Sequence, residues 1–122
     1  MENDICPEVE WVIIKGDDCV MSGEYANDDG TPEPLTGCDL EVTIWDKLDG
    51  RMLLKLTSTP AAGISINESA GLYSITVTDT QSASFDISRG YYFVKLKNAD
   101  GDIRTLYRGP AVIVPAPVWG VT

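Results

Sequence analysis

Asp39-Leu40-Glu41-Val42-Thr43-Ile44-Trp45, then Asp46-Lys47-Leu48-Asp49-Gly50, then Arg51-Met52-Leu53-Leu54-Lys55-Leu56-Thr57, is the stretch whose pattern decides the fold. Leu40, Val42 and Ile44 recur at every second position with Glu41, Thr43 and Trp45 between them. That is the period of a half-buried strand, because successive side chains leave a strand on opposite faces. Asp49-Gly50 is read as supplying the positive φ of a tight hairpin turn. The returning arm puts Met52, Leu54 and Leu56 on one face and Leu53, Lys55 and Thr57 on the other. An antiparallel hairpin with Trp45 pointing outward is predicted.

The same short runs, separated by Gly, Asp, Asn and Pro, extend in both directions. Glu10 to Lys15 alternates Val12 and Ile14 with Trp11 and Ile13, and two apolar faces predict burial on both sides. A second strand is expected from Cys19 to Tyr25, ended by the loop Asn27-Asp28-Asp29-Gly30 with Pro32 and Pro34. Strands follow at Ile64 to Asn67 and at Leu72 to Val77, where Tyr73, Ile75 and Val77 share a face. Thr80 to Ser88 reads as a crossover. Gly90 to Lys97 and Ile103 to Tyr107 form a second hairpin around Asn98-Ala99-Asp100-Gly101, with Tyr92, Val94 and Leu96 inward and Tyr91 and Phe93 on the opposite face. Ala111 to Val114 reads as a final strand. Seven to nine strands in roughly 110 residues is the density of an all-β, immunoglobulin-like antiparallel sandwich. One domain over residues 1–122 is expected, with 110–122 as closing strand and contact tail.

At 122 residues, 43% hydrophobic and 23% charged, the chain has the composition of a folded domain. No apolar run approaches the roughly 20 residues that span a bilayer. Met1-Glu2-Asn3-Asp4 lacks a basic n-region and an apolar h-region, so a soluble, unsecreted product is expected, with no membrane partner. A net charge of -10 repels a phosphate backbone, which argues against nucleic acid. Acids crowd residues 1–50, where Lys15 and Lys47 alone oppose them; since early and late strands interleave in a sandwich, this reads as a solvating surface, with an acidic loop end as the alternative. Cys6, Cys19 and Cys38 are odd in number and form no Cys-x-x-Cys pair, so reduced, buried thiols are expected, with a Cys6–Cys19 bridge as the alternative.

The sequence contains no histidine, which removes Ser-His-Asp and Cys-His triads and the usual zinc ligand sets together. Paired carboxylates could do glycosidase chemistry, but nothing flanks any pair to mark it. Neither a Gly-x-Gly-x-x-Gly nor a phosphate-cradling Gly-Lys-Ser/Thr motif occurs. Asp28 and Asp29 beside Asn27 and Gly30, with Asp17 and Asp18, have the oxygens calcium takes, yet their spacing is not that of the twelve-residue calcium loop and turns need the same residues. No enzyme, cofactor or metal is expected. Trp11, Trp45 and Trp119 would suit a sugar-stacking platform, though Trp11 reads as core. From Pro110 to Thr122 the chain carries three prolines and no charge, so Ala111 to Val114 is expected to close the sheet and Val118 and Trp119 to contact a partner.

Taken in order, these motifs resemble a known group. The apolar strand ending in Gly16-Asp17-Asp18, the approach Pro34-Leu35-Thr36-Gly37-Cys38, the Gly50 hairpin, the Gly90-Tyr91-Tyr92 to Asp100-Gly101 hairpin with Arg104-Thr105-Leu106, then Gly109 and Val121-Thr122, are similar to small immunoglobulin-like virion proteins of tailed bacteriophages. The similarity is to the N-terminal domain of phage upper baseplate proteins. The cysteines and Pro115-Ala116-Pro117 depart from that pattern. The resemblance implies a non-catalytic structural protein of the virion, at the tail, baseplate, neck or fibre attachment, assembled in the host bacterial cytoplasm. Its implied partners are other virion proteins, in a homo-oligomer or symmetric assembly. A carbohydrate-binding module for host surface glycans and a capsid decoration protein are the alternatives. The interface candidates are Trp119, Val118, Trp45, Asn27, Asp28 and Asp29.

Overall fold

The computed structural model describes residues 8–25, 33–59 and 61–116. Strands β1 (Trp11–Ile14), β2 (Cys19–Glu24), β3 (Asp39–Trp45), β4 (Met52–Thr57), β5 (Ile64–Asn67) and β6 (Leu72–Val77) precede a short helix, α1 (Asp79–Ala83). β7 (Arg89–Lys97) and β8 (Ile103–Val114) follow it. They form a five-stranded sheet in the order β1-β8-β7-β3-β4 and a three-stranded sheet in the order β2-β6-β5. All pairings are antiparallel except β1, which runs parallel to β8. The second, fifth and sixth strands in one sheet, and the third, seventh and eighth with an added fourth in the other, make the strand order of an immunoglobulin-like sandwich.

The alternation of β3 and β7 builds the core. Leu40, Val42 and Ile44 meet Tyr92, Val94 and Leu96 of β7 on one inner face and Ile75 and Val77 of β6 on the other, all fully buried. Burying each such chain contributes about 1.5 to 3 kcal/mol.

Cys19 and Cys38 are free and only half-buried, so full burial of these thiols is corrected, and Cys19 forms no bridge; Cys6 lies outside the described residues. A run of aromatic rings and hydroxyls crosses the sandwich instead. The Trp11 and Tyr92 rings lie 5.3 Å apart edge to face, and Tyr92 and Tyr107 lie 6.2 Å apart in the same manner. The Tyr73 hydroxyl of β6 then donates to the Tyr107 hydroxyl of β8 at 3.1 Å, joining the two sheets. Tyr107 in turn donates to Met21 Sδ at 3.1 Å. Burial raises both phenol pKa values above the ordinary range, Tyr107 the more strongly.

Several expectations change in the structure. β1 is buried on one side only: Trp11 and Ile13 face the core, whereas Val12 and Ile14 are 49% and 39% exposed because no second layer covers that face. A bulge at Ile44/Trp45 lets Met52 pair with Trp45 on the outer face, so Met52 leaves the face shared by Leu54 and Leu56. The hairpin turn does take its positive φ from the Asp49-Gly50 pair, at Asp49 with φ 61°. Gly50 leaves room for the Asp46 carboxylate, which a Cβ there would displace. Ala111 to Val114 is no separate strand, since β8 runs unbroken from Ile103 to Val114.

The expected crossover holds α1. Thr78 Oγ1 accepts from the Gln81 amide at 3.2 Å while Gln81 Oε1 accepts from the Thr78 amide at 2.9 Å, a capping box that starts the helix. Fully buried Ser82 accepts from the Gly16 amide at 2.9 Å and donates to the Asp17 carbonyl at 2.8 Å. Asp18 Oδ1 accepts from the Asp79 amide at 2.7 Å. Of the acids considered as calcium ligands, Asp18 through its carboxylate and Asp17 through its backbone carbonyl thus pin α1 to the β1–β2 turn.

Candidate interaction face

The two outer faces of the sandwich differ in chemistry. On the three-stranded sheet, Val20, Ser22, Glu24, Ser65, Asn67, Leu72, Ser74 and Thr76 point away from the core, mostly small and polar. On the five-stranded sheet, register places Trp45 opposite Tyr91, Tyr91 opposite Pro110, and Trp45 opposite Met52. A row of large apolar side chains therefore crosses four strands. Phe93 lies beside it, 5.4 Å from Tyr91 between ring centroids, and Val12, paired with Val112, continues the apolar surface to the β1 edge.

Each member of this face has a local cause. Trp45, Tyr91 and Phe93 project outward because their alternate neighbours, Ile44, Tyr92 and Val94, are committed to the core. The Trp45 indole N–H donates to Thr43 Oγ1 at 2.9 Å, which fixes the ring along the sheet. β3 and β7 approach closely at Gly90, where a Cβ would run into the Trp45 carbonyl. The hairpin turn overhangs the rings, leaving a trough of about 530 Å³ lined by Glu41, Thr43, Trp45, Leu48, Tyr91 and Phe93 among others.

At the β1 end a carboxylate already sits on the rings. Tyr91 donates its hydroxyl hydrogen to Glu8 Oε2 at 2.7 Å, Arg108 Nη1 donates to the Tyr91 oxygen at 2.8 Å, and Arg108 lies 3.8 Å from the Glu8 carboxylate. The bond to Glu8, with loss of solvent second, raises the Tyr91 phenol above its ordinary pKa. Glu8 reaches this position because the Val9 amide donates to the Arg108 carbonyl at 2.7 Å and Tyr92 donates to the Val9 carbonyl at 2.7 Å. Gly109 permits that approach, since a Cβ there would meet the Val9 backbone.

The face is also cationic. Arg89, Lys95, Lys97, Lys55 and Arg108 point from its strands, against Asp39, Glu41 and the Glu8 carboxylate seated on Tyr91. Lys55 pairs with Glu41 at 3.1 Å, whereas Arg89 and Lys95 have no ion pair among the described residues. This local sign opposes the net charge of -10.

Of the interface candidates taken from sequence, Trp45 lies at the centre of this face. Val118, Trp119, Asn27, Asp28 and Asp29 lie outside the described residues. Tyr91, Phe93, Arg108 and Glu8 were not singled out from sequence as candidates. Their outward phase in β7 was visible, but their meeting with Trp45 depends on β3 pairing with β7. Among the described residues, no three His, Cys, Asp or Glu side chains gather around a point where a metal could bind, and no helix is long and apolar enough to cross a membrane.

No protein-family model matches the chain, and no curated protein is similar to it in sequence. Among solved structures, the ZIG-8–RIG-5 IG1–IG1 heterodimer is 13% identical with a TM-score of 0.42, over 88% of this chain and 82% of that one. A structure from work on the cell-adhesive interactions of VGSC beta subunits is 12% identical with a TM-score of 0.44, over 95% of this chain and 98% of that one. Likeness at that level assigns no function, and the immunoglobulin-like architecture stands on the strand order itself.

Proposed function

We propose that this chain is a non-catalytic protein-binding domain that docks through the outer face of its five-stranded sheet, as a structural part of a tailed-phage virion at the tail, baseplate, neck or fibre attachment. The observation that carries the binding role is the Met52–Trp45–Tyr91–Pro110 row with Phe93 beside it. Rigid aromatic rings around a trough, with Arg and Lys beside them, match the composition of residues that dominate binding energy at protein interfaces. Five strands about 4.8 Å apart and some seven residues long give a face of roughly 500 Å², and the overhanging turn and the Val12 edge bring it towards the ~800 Å² per partner of a standard interface. The virion assignment draws its support from the order of motifs that resembles small phage sandwich proteins, and an assembly part with other virion proteins as partners suits a domain whose distinctive surface is a docking face.

The test is to purify assembled particles carrying a tagged copy, identify the chain and its stable neighbour by mass spectrometry, and repeat with Trp45→Ser. The substitution removes an exposed-face anchor and leaves the core intact, so folding is retained while affinity for the neighbour falls by about 2 to 4 kcal/mol, roughly 30- to 1,000-fold. Unchanged incorporation and affinity would sink the proposal. A glycan-binding role, which the rings with Glu41 and Thr43 would also suit, would instead show as sugar binding lost with the same substitution.

A further inference from the structure

We infer that this face takes the acidic end of a second copy of the chain, in a head-to-tail contact. The inference rests on the protein-binding role proposed above and names the partner. Glu8 shows the chemistry the face accepts: a carboxylate held by a ring hydroxyl and a guanidinium at the edge of the aromatic row. Further along the same face, Lys95 and Arg89 have no such partner among the described residues and lie either side of Tyr91 and Phe93.

The complementary surface is at the opposite end of the strands. Glu33, Asp39 and Glu68 lie at this end, Glu68 lining the same groove as Cys38, and after burial their charges also push the Cys38 thiol pKa up. The β7–β8 turn, with exposed Asp100 and Asp102, abuts the same loop, where Ala99 approaches Gly37. Lys97 and Arg104 are the bases there, and Arg104 already donates to the Tyr25 hydroxyl at 3.2 Å. Packing two copies face to face would set Arg89, Lys95 and Arg108 against their own counterparts, a like-charge cost. Packing face to end sets those cations against carboxylates. Such a contact joins two different surfaces, so it propagates into a ring or a filament.

Sedimentation velocity on the purified chain tests this. At about 0.1 M salt, where distant charges are screened and contacting ones are not, the mean mass should rise above 13.2 kDa with concentration, and it should return to that value near 0.5 M. Arg89→Glu/Lys95→Glu and, separately, Asp100→Lys/Asp102→Lys should each be monomeric with unchanged circular dichroism. Their equimolar mixture retains one intact face and one intact end, and sets the reversed face against the reversed end with opposite signs, so it should associate where neither variant alone does. A wild-type chain that stays monomeric up to about 1 mM, a millimolar Kd being the weakest contact of use, would overturn the inference. So would association indifferent to these reversals, or a mixture that stays monomeric. If the chain is monomeric yet Trp45→Ser still abolishes binding to a virion neighbour, self-association fails alone and the docking face stands.

Discussion

Replacing Tyr107 with Phe removes a hydroxyl that serves both sheets, and its cost follows from where its partners lie. The Tyr73 hydroxyl, whose residue is 7% exposed, loses its acceptor at 3.1 Å. An unsatisfied buried hydroxyl costs about 1 to 3 kcal/mol. Loss of the contact with Met21 Sδ adds little, since a thioether is a weak acceptor. For a domain of this size that corresponds to a fall in Tm of roughly 5 to 12 °C. Tyr73→Phe should cost less, because Tyr107 keeps Met21 as its acceptor. Tyr73→Phe/Tyr107→Phe together should recover much of the loss, because two apolar partners leave nothing unsatisfied. Urea unfolding of the four proteins gives the coupling, expected at about 1 to 2 kcal/mol. Additive losses, or a Tyr107→Phe chain as stable as wild type, would refute the assignment of this pair as the tie between the sheets.

Two further outcomes follow from buried groups. Ser82→Ala strands the Gly16 amide and frees the Asp17 carbonyl, and should cost about 1 to 3 kcal/mol in chemical denaturation, with Ser82→Thr no remedy at a fully buried site. Tyr73 and Tyr107 have raised pKa values in the folded chain, so unfolded phenols ionise first as pH rises past 10.0. Their stabilisation is complete below that pH and declines above it, so Tm measured between about pH 9 and 11.5 should fall more steeply for wild type than for Tyr73→Phe/Tyr107→Phe. Parallel slopes would show that these phenols do not carry the alkaline loss.

The fold was legible wherever one face of a strand meets the core and the other meets water. Leu40, Val42 and Ile44, and Tyr92, Val94 and Leu96, alternate in sequence as they do in the sheets. Misreadings occurred where that simple contrast breaks down. Val12 and Ile14 are apolar yet face outward, so β1 read as buried on both sides. α1 has five residues, too few for a 3.6-residue period to show, although Thr78 and Gln81 already spelled its capping box. Ile103 to Tyr107 and Ala111 to Val114 read as two strands, but Pro110 between them removes one ladder N–H while keeping an extended φ, and the strand continues through it. The site was legible only in part. Alternation alone turns Trp45, Tyr91 and Phe93 outward, but bringing them together takes a pairing between strands separated by three others in sequence, which local pattern does not specify.

The most direct test of a docking face on the five-stranded sheet is site-specific photo-crosslinking in assembling particles. A benzophenone amino acid is placed at Phe93, and in a matched chain at Val20, which is 60% exposed on the outer face of the other sheet. Adducts to a discrete protein from position 93 with none from position 20 are predicted. Adducts from position 20 alone, or the same products from both positions, would contradict the account.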